Sequence, residues 1–391
     1  MGSYSQPLPA ASLDRGMMAL LAVTAFTSAP TIHFQTPMLA EFGHEFHAEA
    51  AAVGWVATLS FGGFLAGSLL LVPLGDRFDK RRLILAKFAG LILAVLAMAA
   101  APTLPVLVGA SFITGLCATL SQDLLPLVVE LAGPAKRGRA VGTILSGLFL
   151  GILFGRITGG LMAANFGWRW TYVLSAAMLV AIAPPLVARL PAVPARTRLT
   201  YGALMRSLGQ LVRDQAQLRR ASAIQFLLGV CYGGFWATVA QMMETLHGLG
   251  PTAAGLVGVP GAAGILVARP AGRWMDRRGA APVVTAGVAV VLAAYLVFGL
   301  AGVSLAAVIV GVALLDCGLR AAMVANQALV TGLDPNARSR SNTVLAVHIW
   351  GGNATGALVA SIAWSHAGWP GVCATGLAAA AAALVVRRRG G

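Results

Sequence analysis

The chain has 391 residues, of which 58% are apolar and only 10% are charged, whereas soluble domains carry about 25% charged residues. Its mean hydropathy is +0.80. This composition excludes a soluble enzyme, a disordered chain and a disulfide-stabilised scaffold.

Long apolar runs follow one another along the whole chain. A membrane-crossing helix needs about 20 such residues, and continuous runs favour helices over the alternating strands of a β-barrel. We predict twelve spans, at residues 16–40, 51–73, 83–101, 104–129, 138–163, 168–190, 221–246, 252–272, 282–302, 304–331, 341–365 and 369–386. Four cysteines lie inside the runs without a CxxC spacing, and we interpret them as small packing residues: Cys117, Cys231, Cys317 and Cys373.

The net charge of +15 is distributed unevenly between the two sides of the predicted spans. Most of the 28 Lys and Arg residues flank the spans on one side. The other side carries Arg169, and its loop at 41–50 is acidic. Because positive residues remain cytoplasmic, both termini are predicted to be cytoplasmic. The charge then orients the helices in a lipid bilayer, and we predict no nucleic-acid partner.

Several segments of the first half recur in the second. The loop PLGDRFDKRRL after span 2 corresponds to GRWMDRRG after span 8, and the loops after spans 4 and 10 share a Pro-Arg-Arg pattern. Matches at one offset in corresponding loops indicate a duplicated six-helix unit. The predicted domains are an N-terminal bundle at 1–190, a cytoplasmic linker at 191–220 and a C-terminal bundle at 221–391.

These two parallel halves, each with an acidic-basic turn after its second span, resemble the major facilitator superfamily over essentially the whole chain. PLGDRFDKRRLIL, SGLFLGILFGRITGGLMAANFGWRW and VANQALVTGLDPNARSRSNT resemble a bacterial branch described as sugar or drug efflux permeases. The resemblance implies a monomeric, all-α, twelve-helix transporter of small molecules in the bacterial inner membrane. It implies alternating access and no enzymatic activity, cofactor or metal.

The turn at 74–82 resembles the superfamily pattern G-x-x-x-D-R-x-G-R-K-x. The resemblance implies a cytoplasmic latch that must break for inward opening, formed by Asp76, Arg77, Asp276 and Arg277. The first copy has Val72 and Asp79 at the two glycine positions of the pattern. The alternative is that these charges only orient the helices.

Span 5 contains glycines that let another helix approach closely: Gly151, Gly155, Gly159 and Gly160. The segment resembles the antiporter motif of proton-coupled exporters, which has proline where this chain has Arg156. The resemblance implies a seal between the two halves and favours export. The alternative is simple helix packing, which does not account for Arg156.

Ionisable groups at membrane depth are costly and point to function. We predict proton-coupling roles for Asp316 first and Asp123 second, with Arg156 and Arg320 as their partners or as an anchor for an anionic substrate. Burial favours a neutral carboxylate and a nearby arginine opposes this, so the balance can change between conformations. The alternative is a permanent Asp316–Arg320 ion pair. A histidine such as His33 is interpreted as a hydrogen-bonded helix residue.

Sparse polar and aromatic groups are typical of ligand cavities. The candidates for a substrate cavity are Gln35, Gln122, Gln225, Tyr232, Trp236, Asn326, Gln327 and Asn353. The alternative for each of them is a residue that only packs helices together. Taken together, the sequence predicts a proton-coupled exporter of small amphipathic or sugar-like compounds. An importer on the same fold, by symport or facilitated diffusion, is the alternative.

Overall fold

The computed structural model describes residues 14–193, 200–333 and 338–388, and within these ranges the chain forms helices and no strand. The α-helices are α1 Arg15–Ser28, α2 Leu39–Phe46, α3 Ala50–Leu70, α4 Lys80–Ala99, α5 Leu104–Ala118, α6 Leu120–Phe166, α7 Trp168–Arg189, α8 Tyr201–Asp214, α9 Ala216–His247, α10 Pro251–Leu256, α11 Gly258–Gly261, α12 Ala263–Arg278, α13 Ala280–Phe298, α14 Leu305–Gly332 and α15 Arg338–Arg388. Short 3-10 helices lie at Ala29–Ile32, Thr36–Met38 and Val72–Asp76.

Ten helical segments among the described residues are long and apolar enough to cross a membrane, rather than the twelve predicted. Predicted spans 11 and 12 are two helices on either side of a kink at Gly368, where φ is +58°, and α15 denotes both together. The eighth predicted span is divided into α10, α11 and α12. The cause is its content of Gly258, Pro260 and Gly261, since proline and glycine weaken a helix interior.

Side-chain contacts assign the helix ends to two faces of the bundle. We call one the basic face, where Arg189 pairs with Asp14 at 2.9 Å and the Lys80 N–H donates to the Val193 carbonyl at 3.1 Å. On the opposite face Arg169 donates to the Ala101 carbonyl at 2.9 Å. Trp168 and Arg169 both donate to Glu45 there. The basic face carries the loops that the sequence predicts to be cytoplasmic.

The linker helix α8 lies at the basic face. Its N-cap Thr200 accepts a hydrogen bond from the Ala203 N–H at 3.3 Å, which is a common way to begin a helix. Leu208 and Leu211 are buried against an apolar cluster that includes Val330 and Leu345 of the second half. Residues 194–199 of the predicted linker lie outside the described residues.

Helices α3 and α5 cross in close contact because each has a glycine at the crossing. A Cβ on Gly115 would overlap the Ser60 carbonyl, and one on Gly63 would overlap the Phe112 carbonyl. Small residues at a crossing let two membrane helices pack backbone to backbone. The contact fixes one wall of the first half.

Gly115→Ala is expected to lower the stability of the purified protein by about 1–3 kcal/mol, because the new methyl group meets backbone that has little room to move. Gly109→Ala on the same helix is the matched control, since a Cβ there meets nothing within 4 Å. Both variants gain the same helix propensity. Thermal unfolding in detergent should separate them, and equal melting temperatures would contradict the close crossing.

Candidate functional site

Arg156 of α6 joins the first half of the chain to the second in the middle of the bundle. Its side chain is 4% exposed, and its guanidinium donates to the Tyr232 hydroxyl on α9. The guanidinium carbon lies 3.5 Å from the centroid of the Trp236 ring, a geometry that attracts a cation to an aromatic face. Arg156 is therefore held by two aromatic residues of the other half.

The broken helix α10–α11 packs directly against this arginine. A Cβ on Gly255 would overlap the Arg156 carbonyl, and one on Gly258 would touch the Arg156 side chain. Gly255 is required because the backbone of α6 comes so close, whereas a Cβ on Gly258 would make the Arg156 side chain shift. The interrupted segment therefore supplies part of the surface against which Arg156 packs.

Asp316 of α14 is the buried carboxylate of the same region. It is 2% exposed, its carboxylate lies against Gly261, and its Oδ2 has no hydrogen-bond partner among the described residues. Arg320, one turn further along α14, lies over the Phe149 ring of α6 at 5.1 Å. Within the described residues the two groups form no ion pair, so this conformation lacks the permanent pair considered above.

His33 and Gln35 approach from the first half, between α1 and α2. Pro30 and Pro37 lie in the two 3-10 helices that replace regular helix there. His33 Nδ1 and Gln35 Oε1 are buried without a hydrogen-bond partner in the described structure. This corrects the interpretation of His33 as a satisfied helix residue.

We call these side chains the central polar cluster: His33, Gln35, Arg156, Tyr232, Trp236, Asp316 and Arg320. Both arginines lie close enough to act electrostatically on Asp316 and on His33. Four segments from the two halves thus bring two guanidinium groups, one carboxylate and one imidazole within electrostatic reach of one another. Charges are stronger in such a low-dielectric environment than in water.

Asp123 lies away from this cluster, near the basic face. Its Oδ2 accepts a hydrogen bond from Lys87 of α4 at 2.6 Å, and Lys80 pairs with Glu130 one level closer to the face. All four side chains are at most 10% exposed. The partner of Asp123 is therefore a lysine rather than the predicted Arg156 or Arg320, and Lys80 and Lys87 are not simply flanking charges.

A small cavity of about 90 Å³ opens beside Asp123 and Lys80, and Arg340 of the second half also lines it. Gln122, one residue before Asp123, donates to the Ser68 hydroxyl at 3.0 Å. Both ion pairs thus border a gap between the two halves at the basic face.

The remaining cavity candidates differ in their burial and in their partners. Gln225 and Asn326 are buried and 3.4 Å apart, with the amide of Asn326 donating. Asn353 is buried, and Gly229 and Gly233 of α9 pack against its backbone. Gln327 is exposed and donates to Asn342 at 3.0 Å, so its side chain does not line the interior.

The span 5 glycines face two different neighbours. Gly151, Gly155 and Gly159 pack against α1 and the 3-10 helices that follow it, at Phe26, Pro30 and Phe34. Gly160 alone of the four packs against Pro251 in the second half.

Of the predicted latch residues, Arg77 and Arg277 are exposed at the basic face. Arg77 lies over the Phe78 ring at 5.8 Å. The side chains of Asp76 and Asp276 lie outside the part of the structure that is described. The latch therefore stays a prediction.

On the opposite face, the two halves meet through a side-chain hydrogen bond. His44 Nε2 lies 2.7 Å from Glu244 Oε1, joining α2 to α9. Neither residue was singled out as a contact from the sequence, because nothing in a single sequence links two loops that are far apart in the chain.

Comparison with known proteins gives a consistent result. A model of the Major Facilitator Superfamily matches residues 21–331. The uncharacterized transporter YgaY of Escherichia coli O157:H7 is 31% identical over 383 residues, which cover 98% of this chain and 97% of YgaY. The probable transporter SCO4007 of Streptomyces coelicolor is 32% identical over 371 residues, covering 94% and 85%.

More distant proteins agree in fold. A multidrug resistance protein B homolog of Mycobacterium tuberculosis is 24% identical over 413 residues, covering 89% of this chain and 75% of that protein. The inward-facing, unoccupied crystal structure of a bacterial homolog of the human lysosomal transporter Spinster superposes with a TM-score of 0.76 at 14% identity, covering 95% and 94%.

Proposed function

We propose that this chain, which belongs to the major facilitator superfamily, exports small amphipathic or sugar-like compounds across the bacterial inner membrane in exchange for protons. As a member of that superfamily it is a membrane transporter rather than an enzyme. The observation that carries the proposal is the central polar cluster. Ionisable groups buried at membrane depth are energetically costly, and they mark pathways for substrates and protons.

The proposed architecture has twelve crossings in two six-helix halves, at 1–190 and 221–391, joined by the linker 191–220. The interrupted segment α10–α12 counts as one crossing, and α15 counts as two because of its turn at Gly368. The basic face then lies on the cytoplasmic side with both termini. The protein works as a monomer in this proposal, because the two halves of a single chain supply the whole cluster.

Export is supported by the similarity to the multidrug resistance homolog and by the close contact of Gly160 with Pro251 between the halves. Expression in a bacterial strain that lacks its main efflux pumps tests this direction. We expect resistance to a toxic compound, or reduced retention of a labelled one, to increase. Increased uptake of a nutrient without either effect would establish import instead.

Proton exchange is assigned to Asp316 first and Asp123 second, with Arg156 and Arg320 tuning them. Asp316 has a buried oxygen without a hydrogen-bond partner among the described residues and two arginines nearby. A proton on this carboxylate changes the net charge of the cluster by one unit. Exchange of proton and substrate follows if one conformation favours the protonated carboxylate and the other favours bound substrate.

Asp316→Asn is expected to abolish movement driven by a pH gradient, because an amide cannot carry the proton. We would reconstitute the protein in liposomes, impose a pH gradient, and screen sugars, cationic drugs and organic anions while following luminal pH. Asp214→Asn in α8 is the control, since Asp214 is exposed. Proton-coupled transport that persists in Asp316→Asn would contradict the assignment.

A further inference from the structure

The central polar cluster contains more hydrogen-bonding groups than it satisfies. Arg156 Nε, Trp236 Nε1 and His33 Nδ1 are buried without partners in the described structure. The acceptors Asp316 Oδ2 and Gln35 Oε1 are likewise buried and unpaired there. Buried polar groups are normally hydrogen-bonded, and each one left unpaired costs about 1–3 kcal/mol. Several such atoms in one cluster indicate a ligand-binding site.

The balance of charge in this place is positive. Arg156 and Arg320 supply two guanidinium groups against the single carboxylate of Asp316, and both act electrostatically on that carboxylate. Arginine stays charged in proteins. A negatively charged ligand therefore neutralises the excess of positive charge that the described residues leave uncompensated, whereas a cation would increase that excess.

The donors and the surrounding rings define the shape of that ligand. An arginine fork matches the two oxygens of a carboxylate, and the indole N–H of Trp236 can only donate. The rings of Tyr232, Trp236 and Phe149 already contact the arginines. They offer apolar surface next to the charge, which suits a compact aromatic or aliphatic body.

We propose that the central polar cluster binds organic anions that carry one carboxylate on an apolar body, with Arg156 and Arg320 holding the carboxylate. This inference rests on the proposed function only in taking the cluster as the substrate site. A neutral sugar fits less well, because it would leave the excess positive charge of Arg156 and Arg320 uncompensated. The cluster therefore narrows the substrate class within the proposed transport activity.

Binding to the purified, full-length protein tests the inference without any gradient. The probes are monocarboxylic acids in matched sets, such as benzoate, benzamide and benzylamine or hexanoate, hexanamide and hexylamine. We expect at least one acid to bind more than tenfold more tightly than its amide and its amine. If the amide or the amine equals the acid in every set, the inference is wrong.

Variants separate a binding role from a structural one. Arg156→Gln and Arg320→Gln should each weaken acid binding at least tenfold, and Arg156→Lys should retain part of it. Asp316→Asn should strengthen acid binding, because it removes the competing negative charge. This last variant keeps the test valid if an arginine variant does not fold, and weaker acid binding in Asp316→Asn would overturn the inference.

The two proposals can fail separately. Acid binding that is intact while no compound moves under a pH gradient would contradict proton-coupled transport and leave the anion site standing. Transport of a neutral compound, with no preference for acids in binding, would contradict the anion site alone.

Discussion

Lys87→Met is expected to destabilise the protein by about 3–5 kcal/mol, because breaking a buried ion pair leaves one charge without compensation. Lys87 and Asp123 are 3% and 6% exposed and lie 2.6 Å apart. Methionine fills a similar volume, so the loss arises mainly from the charge that remains on Asp123. Equilibrium unfolding in mixed detergent micelles measures the change in free energy.

Asp123→Asn should cost a similar amount, since it leaves the ammonium group of Lys87 buried. The double variant Lys87→Met with Asp123→Asn should lose less unfolding free energy than the two single variants lose together. Such non-additivity is the signature of a direct interaction. Additive losses would show that the two side chains do not stabilise each other.

Arg82→Met is the matched control on the same helix. Arg82 lies two residues from Lys80 but is exposed, and exposed charges contribute little to stability. A loss in Arg82→Met as large as that in Lys87→Met would mean that α4 is sensitive to any substitution, and the ion pair would no longer explain the result.

The sequence contained a signal for this pair that charge counting did not use. Lys80 and Lys87 are seven residues apart on α4, and Asp123 and Glu130 are seven apart on α6. Residues seven apart lie on one helix face. On two neighbouring antiparallel helices with this spacing, Lys80 can therefore face Glu130 while Lys87 faces Asp123. Counting the lysines with the flanking charges hid that match.

The central polar cluster was predictable only in part. Charge at membrane depth identified Arg156, Asp316 and Arg320. Their contacts with Trp236 and Phe149 depend on how α6 packs against α9 and α14, which one sequence does not specify. His33 was missed for the same reason, because whether its ring has a partner depends on helices far away in the chain.

The apolar runs predicted most helices but not the form of the eighth span. Membrane helices tolerate proline and glycine when neighbouring segments satisfy the freed backbone groups, so the sequence alone could not decide between a kink and a break. In the structure the helix is interrupted at Val257 and Ala262, where the backbone stays in the right-handed helical region, and Arg156 lies against this segment. The irregular segment is thus part of the candidate site.

Linking the two halves on the opposite face is expected to abolish transport. His44 and Glu244 meet at 2.7 Å across the halves, and alternating access requires each face to open in turn. In a variant with His44→Cys and Glu244→Cys, a short, reducible bis-methanethiosulfonate reagent should join the two thiols. Transport in liposomes should stop on treatment and return when the link is reduced.

The reagent can also react with the native cysteines, but their burial in the structure limits that reaction. Cys117, Cys231 and Cys373 are buried and Cys317 is half-buried, so the unmodified protein and each single cysteine variant should keep their transport after the same treatment. A fully linked double variant that still transports would show that this face does not need to separate. The halves would then have to exchange access by a motion that leaves α2 and α9 together, and the His44–Glu244 pair would be a fixed pivot rather than a gate.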